Sequence, residues 1–367
     1  MADPRVQKLA DLLVNYCVAV QPGDKVAIRS GGIAYPLLVE TYREVVRAGG
    51  LPLVNLEEEA LTEIMLKEGN DEQLQHIPAP FKTIVETYDC SISLRGSRNT
   101  RTLNGVNPAR QQLMQSAGRE LMQTYMERSA TGDFRWTLAM FPTQAQAQDA
   151  DMSLSEYEDF VYGACFVDKA DPVAEWRKMS VMQQRLVDWL VGKEKVVVKG
   201  PHIDMNLSIA GRTFINSDGT HNMPSGEIFT GPVEESVNGW VNFTYPAIVS
   251  GREVDGVKLR FEDGKIVDAQ ASKNEEFLIT TLDTDAGARY LGEFAVGTNM
   301  GIQQFTKSIL FDEKIGGTIH MAMGNGYPET GSKNKSAIHW DMICDMRDGG
   351  KIWVDDELFY DSGEFVI

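Results

Sequence analysis

The sequence predicts an α/β N-terminal domain over residues 1–193, followed by a mainly β (α+β) C-terminal domain over residues 194–367. Strand-like and helix-like segments alternate through the first half, and a long amphipathic stretch covers residues 172–193. Beyond residue 195 the texture changes to short alternating runs separated by turn signals. The first pattern builds parallel strands joined by crossover helices, whereas closely spaced short strands point to a mainly β half.

Residues 24–30, Asp-Lys-Val-Ala-Ile-Arg-Ser, are the first strand candidate. Residues 35–48 then carry apolar side chains at helical spacing until Gly49 and Gly50 stop the helix. Further strands are expected at 51–56, 90–94 and 136–141, and helices at 108–127 and 154–165. In 172–193, Trp176, Met179, Met182, Leu186, Trp189 and Leu190 form an apolar stripe, and the domain boundary is placed just after it. The second half offers strands at 196–199, 204–209, 257–261, 265–269 and 351–354, with turns at Ser217-Asp218-Gly219 and Glu262-Asp263-Gly264. Helices are expected near 274–284 and 285–291.

Composition narrows the function classes. The 53 acidic and 35 basic residues leave a formal charge of -18, which repels phosphate backbones and anionic lipid, so neither nucleic acid nor a membrane is an expected partner. No uninterrupted apolar stretch reaches membrane-spanning length. Cys17, Cys90, Cys165 and Cys344 are widely separated and form no C-x-x-C pair, which argues against a disulfide framework or a thiolate zinc site. The opening residues lack a signal-peptide pattern, and a reducing cytoplasm is the expected compartment.

Of the five histidines, His202, His221, His320 and His339 follow residue 194. In Ile338-His339-Trp340-Asp341, a strand would project His339 and Asp341 to the same face, where they could bind one ion. His320 has apolar neighbours that suggest burial, so its nitrogens need partners; a lone buried histidine is more often hydrogen-bonded than metal-bound. Tyr327 lies between Gly326 and Pro328, in a stiff context where its hydroxyl could be aimed or its ring could pack on a turn. Glu227 and Glu293 each follow a glycine and precede apolar residues, so each carboxylate enters the core or caps a turn. A buried carboxylate needs a compensating cation or donor. Carboxylates and imidazoles without thiolates suit zinc, cobalt or manganese. Ser217, Asp218 and His221 are too local for a catalytic triad, and no Walker A loop or G-x-S-x-G elbow is present. The basic run from Arg95 to Arg110, with Arg98 and Arg101, could meet a peptide carboxylate or the second domain, and a solvated loop is the simpler reading.

The segment Ile215-Asn216-Ser217-Asp218-Gly219-Thr220-His221-Asn222-Met223-Pro224-Ser225-Gly226-Glu227-Ile228-Phe229-Thr230 resembles the signature of the aminopeptidase T family of metallopeptidases, the thermophilic-type leucyl aminopeptidases. Leu291-Gly292-Glu293-Phe294-Ala295, Phe311-Asp312-Glu313-Lys314-Ile315-Gly316-Gly317-Thr318-Ile319-His320 and Ile338-His339-Trp340-Asp341 follow in the family's order, and Gln21-Pro22-Gly23-Asp24-Lys25-Val26 resembles its opening. The resemblance implies metal ligation by Glu227, Glu293, His320, His339 and Asp341, with Glu293 bridging two divalent ions. Glu313 matches a further carboxylate of that site, with a local spacing that varies among members, and Tyr327 matches a tyrosine that approaches the metals. It also implies a homodimer enclosing the active sites, and short peptides with a free N-terminus as substrates.

The expected chemistry is peptide hydrolysis by water activated between two metal ions. Glu227 or Glu313 would relay a proton, and Tyr327 would hydrogen-bond the oxyanion. Two alternatives stand beside it: a mononuclear iron dioxygenase opening hydroxylated pyridine rings on the same scaffold, and a non-catalytic metal-containing binding protein.

Overall fold

The computed structural model describes residues 3–249 and 251–367. The chain divides into two compact units, Met1–Val173 with Gly219–Pro224, and Ala174–Asp218 with Ser225–Ile367. The helix Pro172–Leu190 goes almost wholly with the second unit. Its Leu186, Val187 and Leu190 join that unit's core, and its buried Gln183 bonds the backbone of Ser217 and Glu227. The unit division thus falls at the start of this helix, whereas the sequence places a boundary after it.

The first unit is built on a five-stranded parallel sheet ordered Leu51–Leu56, Lys25–Ser30, Cys90–Arg95, Arg135–Met140, Asn222–Met223. Val26, Ile28, Ile92 and Leu94 are buried, the near-continuous apolar pattern of parallel strands covered on both faces. The expected helix over 108–127 is two helices, Pro108–Ala117 and Arg119–Ala130, interrupted at Gly118. Three short helices, Glu59–Glu68, Asp71–Gln75 and Ala79–Thr87, escaped sequence reading. Each buries one residue, respectively Leu66, Leu74 and Ile84, too little to write a helical period. In this unit Arg95 faces Glu57, Arg101 faces Asp149 and Arg110 donates to the carbonyls of Leu66 and Gly69, so much of the basic run is engaged locally.

The second unit contains two larger antiparallel sheets. One has eight strands, ordered Lys265–Gln270, Lys258–Glu262, Asn238–Asn242, Ile203–Ser208, Lys195–Gly200, Lys351–Val354, Glu357–Asp361, Glu364–Phe365. The other has five, ordered His339–Asp345, Thr318–Gly324, Leu291–Gly297, Glu227–Thr230, Ile215–Ser217. Both contribute to one apolar core containing Val198, Met205, Leu259, Phe294, Met321, Met342 and Ile352. Glu275–Leu282 is helical as expected, but residues 286–289 form turns, Tyr290 bridges to Lys265 and Leu291 starts a strand. Asp285 accepts from the backbone N–H of Gly287 at 3.0 Å, a local bond that competes with continuation of a helix. The four cysteines are buried, and among the described residues no helix is long and apolar enough to cross a membrane.

Candidate metal centre

The five-stranded antiparallel sheet separates its two faces by strand alternation. Ile228, Phe294, Val296, Ile319, Met321, Met323, Trp340, Met342 and Cys344 point into the apolar core. Their sequence neighbours Glu227, Glu293, His320, His339 and Asp341 therefore project from the opposite face. Register then brings them together. Glu293 pairs with Ala322, Ala322 with Asp341, Gly324 with His339, His320 with Ala295, and Glu227 with Gly297. Directly opposed residues share a face, so four adjacent strands present these five side chains side by side.

The resulting distances are those of a common centre. His320 Nε2 lies 3.2 Å from Glu227 Oε2 and 3.6 Å from Glu293 Oε1. His339 Nε2 lies 3.3 Å from Glu293 Oε2 and 3.5 Å from Asp341 Oδ1. Three overlapping groups have ligand-type atoms within 4.8 Å of one another: Glu227, Glu293 and His320; Glu293, His339 and Asp341; Glu313, His320 and Asp341. Each oxygen of Glu293 thus faces a different histidine. Glu313 arrives from the turn after the short helix Ile309–Asp312, and Tyr327 packs its ring on His339 and Phe229 at centroid distances of 5.1 and 5.3 Å.

Burial and charge act against each other here. Burial raises Glu293, but His320 and His339 bring its carboxyl below the ordinary range; burial likewise raises Asp341, and His339 more than offsets it. Burial depresses both imidazoles, yet the carboxylates prevail: Glu293 and Glu227 lift His320 to about 9, and Asp341 and Glu293 lift His339 to about 11. For Glu313 burial dominates and pushes the carboxyl up to about 7. Glu227, Glu293, Glu313 and Asp341 converge in one place, a concentration of carboxylate that persists only with compensating cations beside it.

The donor set fits divalent metal ions. Glu227 Oε2 and Asp341 Oδ1 are buried and make no hydrogen bond, although each lies close to an imidazole nitrogen. Atoms in that relation are aimed at a shared point and not at each other. The other nitrogen of His339, Nδ1, lies 2.8 Å from the carbonyl oxygen of Asn325. If Nδ1 carries the proton and donates to that carbonyl, Nε2 is left as the ligand atom, the usual outer-shell arrangement for a metal-binding histidine.

Sequence reasoning missed three supporting residues. The Asn325 carbonyl orients His339, and Gln183 donates from its Nε2 to the Glu227 carbonyl at 3.1 Å and to Asn216 Oδ1 at 2.6 Å. Lys314 is fully buried, ion-paired to Glu313 and 3.7 Å from Glu227 Oε1. An adjacent Glu-Lys pair is a common surface pattern, so no local signal marks Lys314. Among the described residues, His202 and His221 join none of the metal-type groups, and the His221 ring packs on Trp136. Ser217 pairs its hydroxyl with Ser225, and Asp218 accepts from Ser180, both loop roles.

The model of a protein family described as thermophilic metalloproteases (M29) matches residues 2–365. Aminopeptidase 2 of Geobacillus stearothermophilus is 28% identical, with 94% of this chain and 93% of that protein covered. Aminopeptidase T of Thermus thermophilus is 26% identical, with coverage of 88% and 85%. The solved structure of wild-type AmpT from Thermus thermophilus aligns with a TM-score of 0.87 at 23% identity, covering 99% of both chains, and so shares the fold. With that match along nearly its whole length, the chain belongs to the thermophilic metalloprotease (M29) family.

Proposed function

We propose that this chain is a metal-dependent aminopeptidase that hydrolyses the N-terminal peptide bond of peptides using two divalent ions, of zinc, cobalt or manganese. The observation that carries the two-ion reading is the position of Glu293, whose Oε1 and Oε2 face His320 and His339 at 3.6 and 3.3 Å. Glu293 would be shared, Glu227 and His320 completing one position and His339 and Asp341 the other. The relatives named above are all aminopeptidases, and nothing supports the ring-opening dioxygenase or the non-catalytic binding protein.

Bound divalent ions lower the pKa of water and polarise a carbonyl oxygen. The residues around them have distinct tasks. His339 is held in orientation by the Asn325 carbonyl, and Glu227 is held through its own backbone by Gln183. Glu227 or Glu313 takes up the proton lost by the attacking water and returns it to the leaving amine. Burial, then the negative charge of Glu293 and Asp341, keeps the Tyr327 phenol protonated, so its hydroxyl can donate to developing oxyanion charge. A homodimer and a cytoplasmic location belong to the same proposal.

The test is hydrolysis of a leucine anilide before and after chelation, with metal content measured alongside. His339→Ala and Asp341→Ala are expected to abolish turnover while the protein stays folded. Activity that survives chelation, or near-normal activity in either variant with unchanged metal content, would sink the assignment.

A further inference from the structure

Lys314 has no exposed side-chain surface, is ion-paired with Glu313 and brings Nζ to 3.7 Å from Glu227 Oε1. A buried ammonium is costly and persists only where carboxylates meet it. Its backbone is fixed as well. Asn299 N–H donates to the Lys314 carbonyl at 3.2 Å, and Gly316 N–H donates to the Asn299 carbonyl at 3.1 Å. Close approach of this turn to the Glu293 strand depends on Gly297, where a Cβ would lie 2.3 Å from the Ile315 carbonyl oxygen. The ammonium is therefore built into the edge of the centre.

We infer that Lys314 is a resident cation that occupies Glu313 and one oxygen of Glu227, making the two metal positions unequal. The position of Glu293, His339 and Asp341 holds its ion tightly, and the position of Glu227, Glu293 and His320 holds a weaker, exchangeable one. This rests on the two-metal reading of the centre. Among the described residues, Lys314 Nζ is within ion-pair distance of Glu227 and Glu313 but not of Glu293 or Asp341. A divalent ion approaching Glu227 meets a carboxylate already shared with a positive charge, and repulsion between the two cations weakens its binding. Lys314 reaches Asp341 only through its field from beyond ion-pair distance, so an ion between His339 and Asp341 is opposed less. Glu313, which also groups with His320 and Asp341, is then shared with Lys314.

The experiment titrates the metal-stripped full-length protein with Zn²⁺ alone by calorimetry and measures zinc per chain after dialysis. Wild type should show two events of unequal affinity and retain one ion. Lys314→Met should tighten the weaker event about tenfold or more and raise retention towards two ions. Because Lys314→Met leaves Glu313 uncompensated and can impair folding, the double variant Glu313→Gln/Lys314→Met, which removes both charges, is measured in parallel and should show the same tightening. Two equally tight events in wild type, or a weaker event that does not tighten in the variants, overturn the inference and leave the metal centre standing. Failure of wild type to bind Zn²⁺ overturns the two-metal reading and this inference together.

Discussion

Replacing Tyr327 with phenylalanine removes one hydroxyl from the metal centre and keeps the ring that packs on Phe229 and His339 at 5.3 and 5.1 Å. Among the described residues that hydroxyl makes no hydrogen bond, so the folded protein loses no internal partner and its stability should change by less than about 0.5 kcal/mol. Burial, reinforced by Glu293 and Asp341, holds the phenol well above its ordinary pKa, which leaves donation as its role at working pH. Loss of one oxyanion donor costs about 2.7–4 kcal/mol of transition-state stabilisation, or about 100- to 1000-fold in kcat. An interaction made only in the transition state leaves KM nearly unchanged. The assay is kcat and KM on a leucine anilide, with metal content and thermal unfolding measured on the same preparation. Unchanged kcat would remove Tyr327 from the mechanism, and a large fall in Tm or metal content would assign the hydroxyl a structural role.

Glu293→Gln should lower the affinity for both ions, because a neutral amide is shared poorly between two cations, whereas His339→Ala should chiefly affect one; loss of the same single ion in both variants, measured by metal analysis, would argue against a shared Glu293. Gly226 precedes Glu227 with φ of +114°, and a Cβ there would lie 2.7 Å from the Asn299 Cβ. Gly226→Ala should therefore cost about 1–3 kcal/mol and disturb Glu227, and an unchanged denaturant midpoint would contradict this. Asp285 accepts from Ser336 Oγ and from the N–H groups of Ala337 and Gly287, and these bonds hold its carboxyl below the ordinary value despite the opposing effect of burial. With the folded pKa depressed, its stabilisation is present above about pH 4 and lost as pH falls through the folded value. Asp285→Ala should accordingly be less stable than wild type at pH 7, with a gap that narrows below pH 4; a gap independent of pH would refute the assignment.

Much of the local structure was legible in the sequence. The parallel strands Lys25–Ser30, Leu51–Leu56 and Cys90–Arg95 are apolar runs bounded by turn residues, and each formed where its pattern placed it. The two-residue spacing of His339 and Asp341 put both on one face of a strand, as alternation requires. Helices with little to bury, such as Asp71–Gln75, left no period to read, and the turn at 286–289 was decided by a side-chain hydrogen bond that composition does not announce.

By itself the sequence determined which residues could enter a strand and which face of that strand they would share, because backbone alternation is a property of each segment. Only the tertiary structure decided that the strands of Glu227, Glu293, His320 and His339 lie side by side in this order and register, because that depends on pairings between residues far apart in the chain. The same holds for Lys314. Its sequence neighbours give the pattern of an exposed ion pair, and its burial against Glu227 exists only because the turn that carries it docks where Gly297 leaves room.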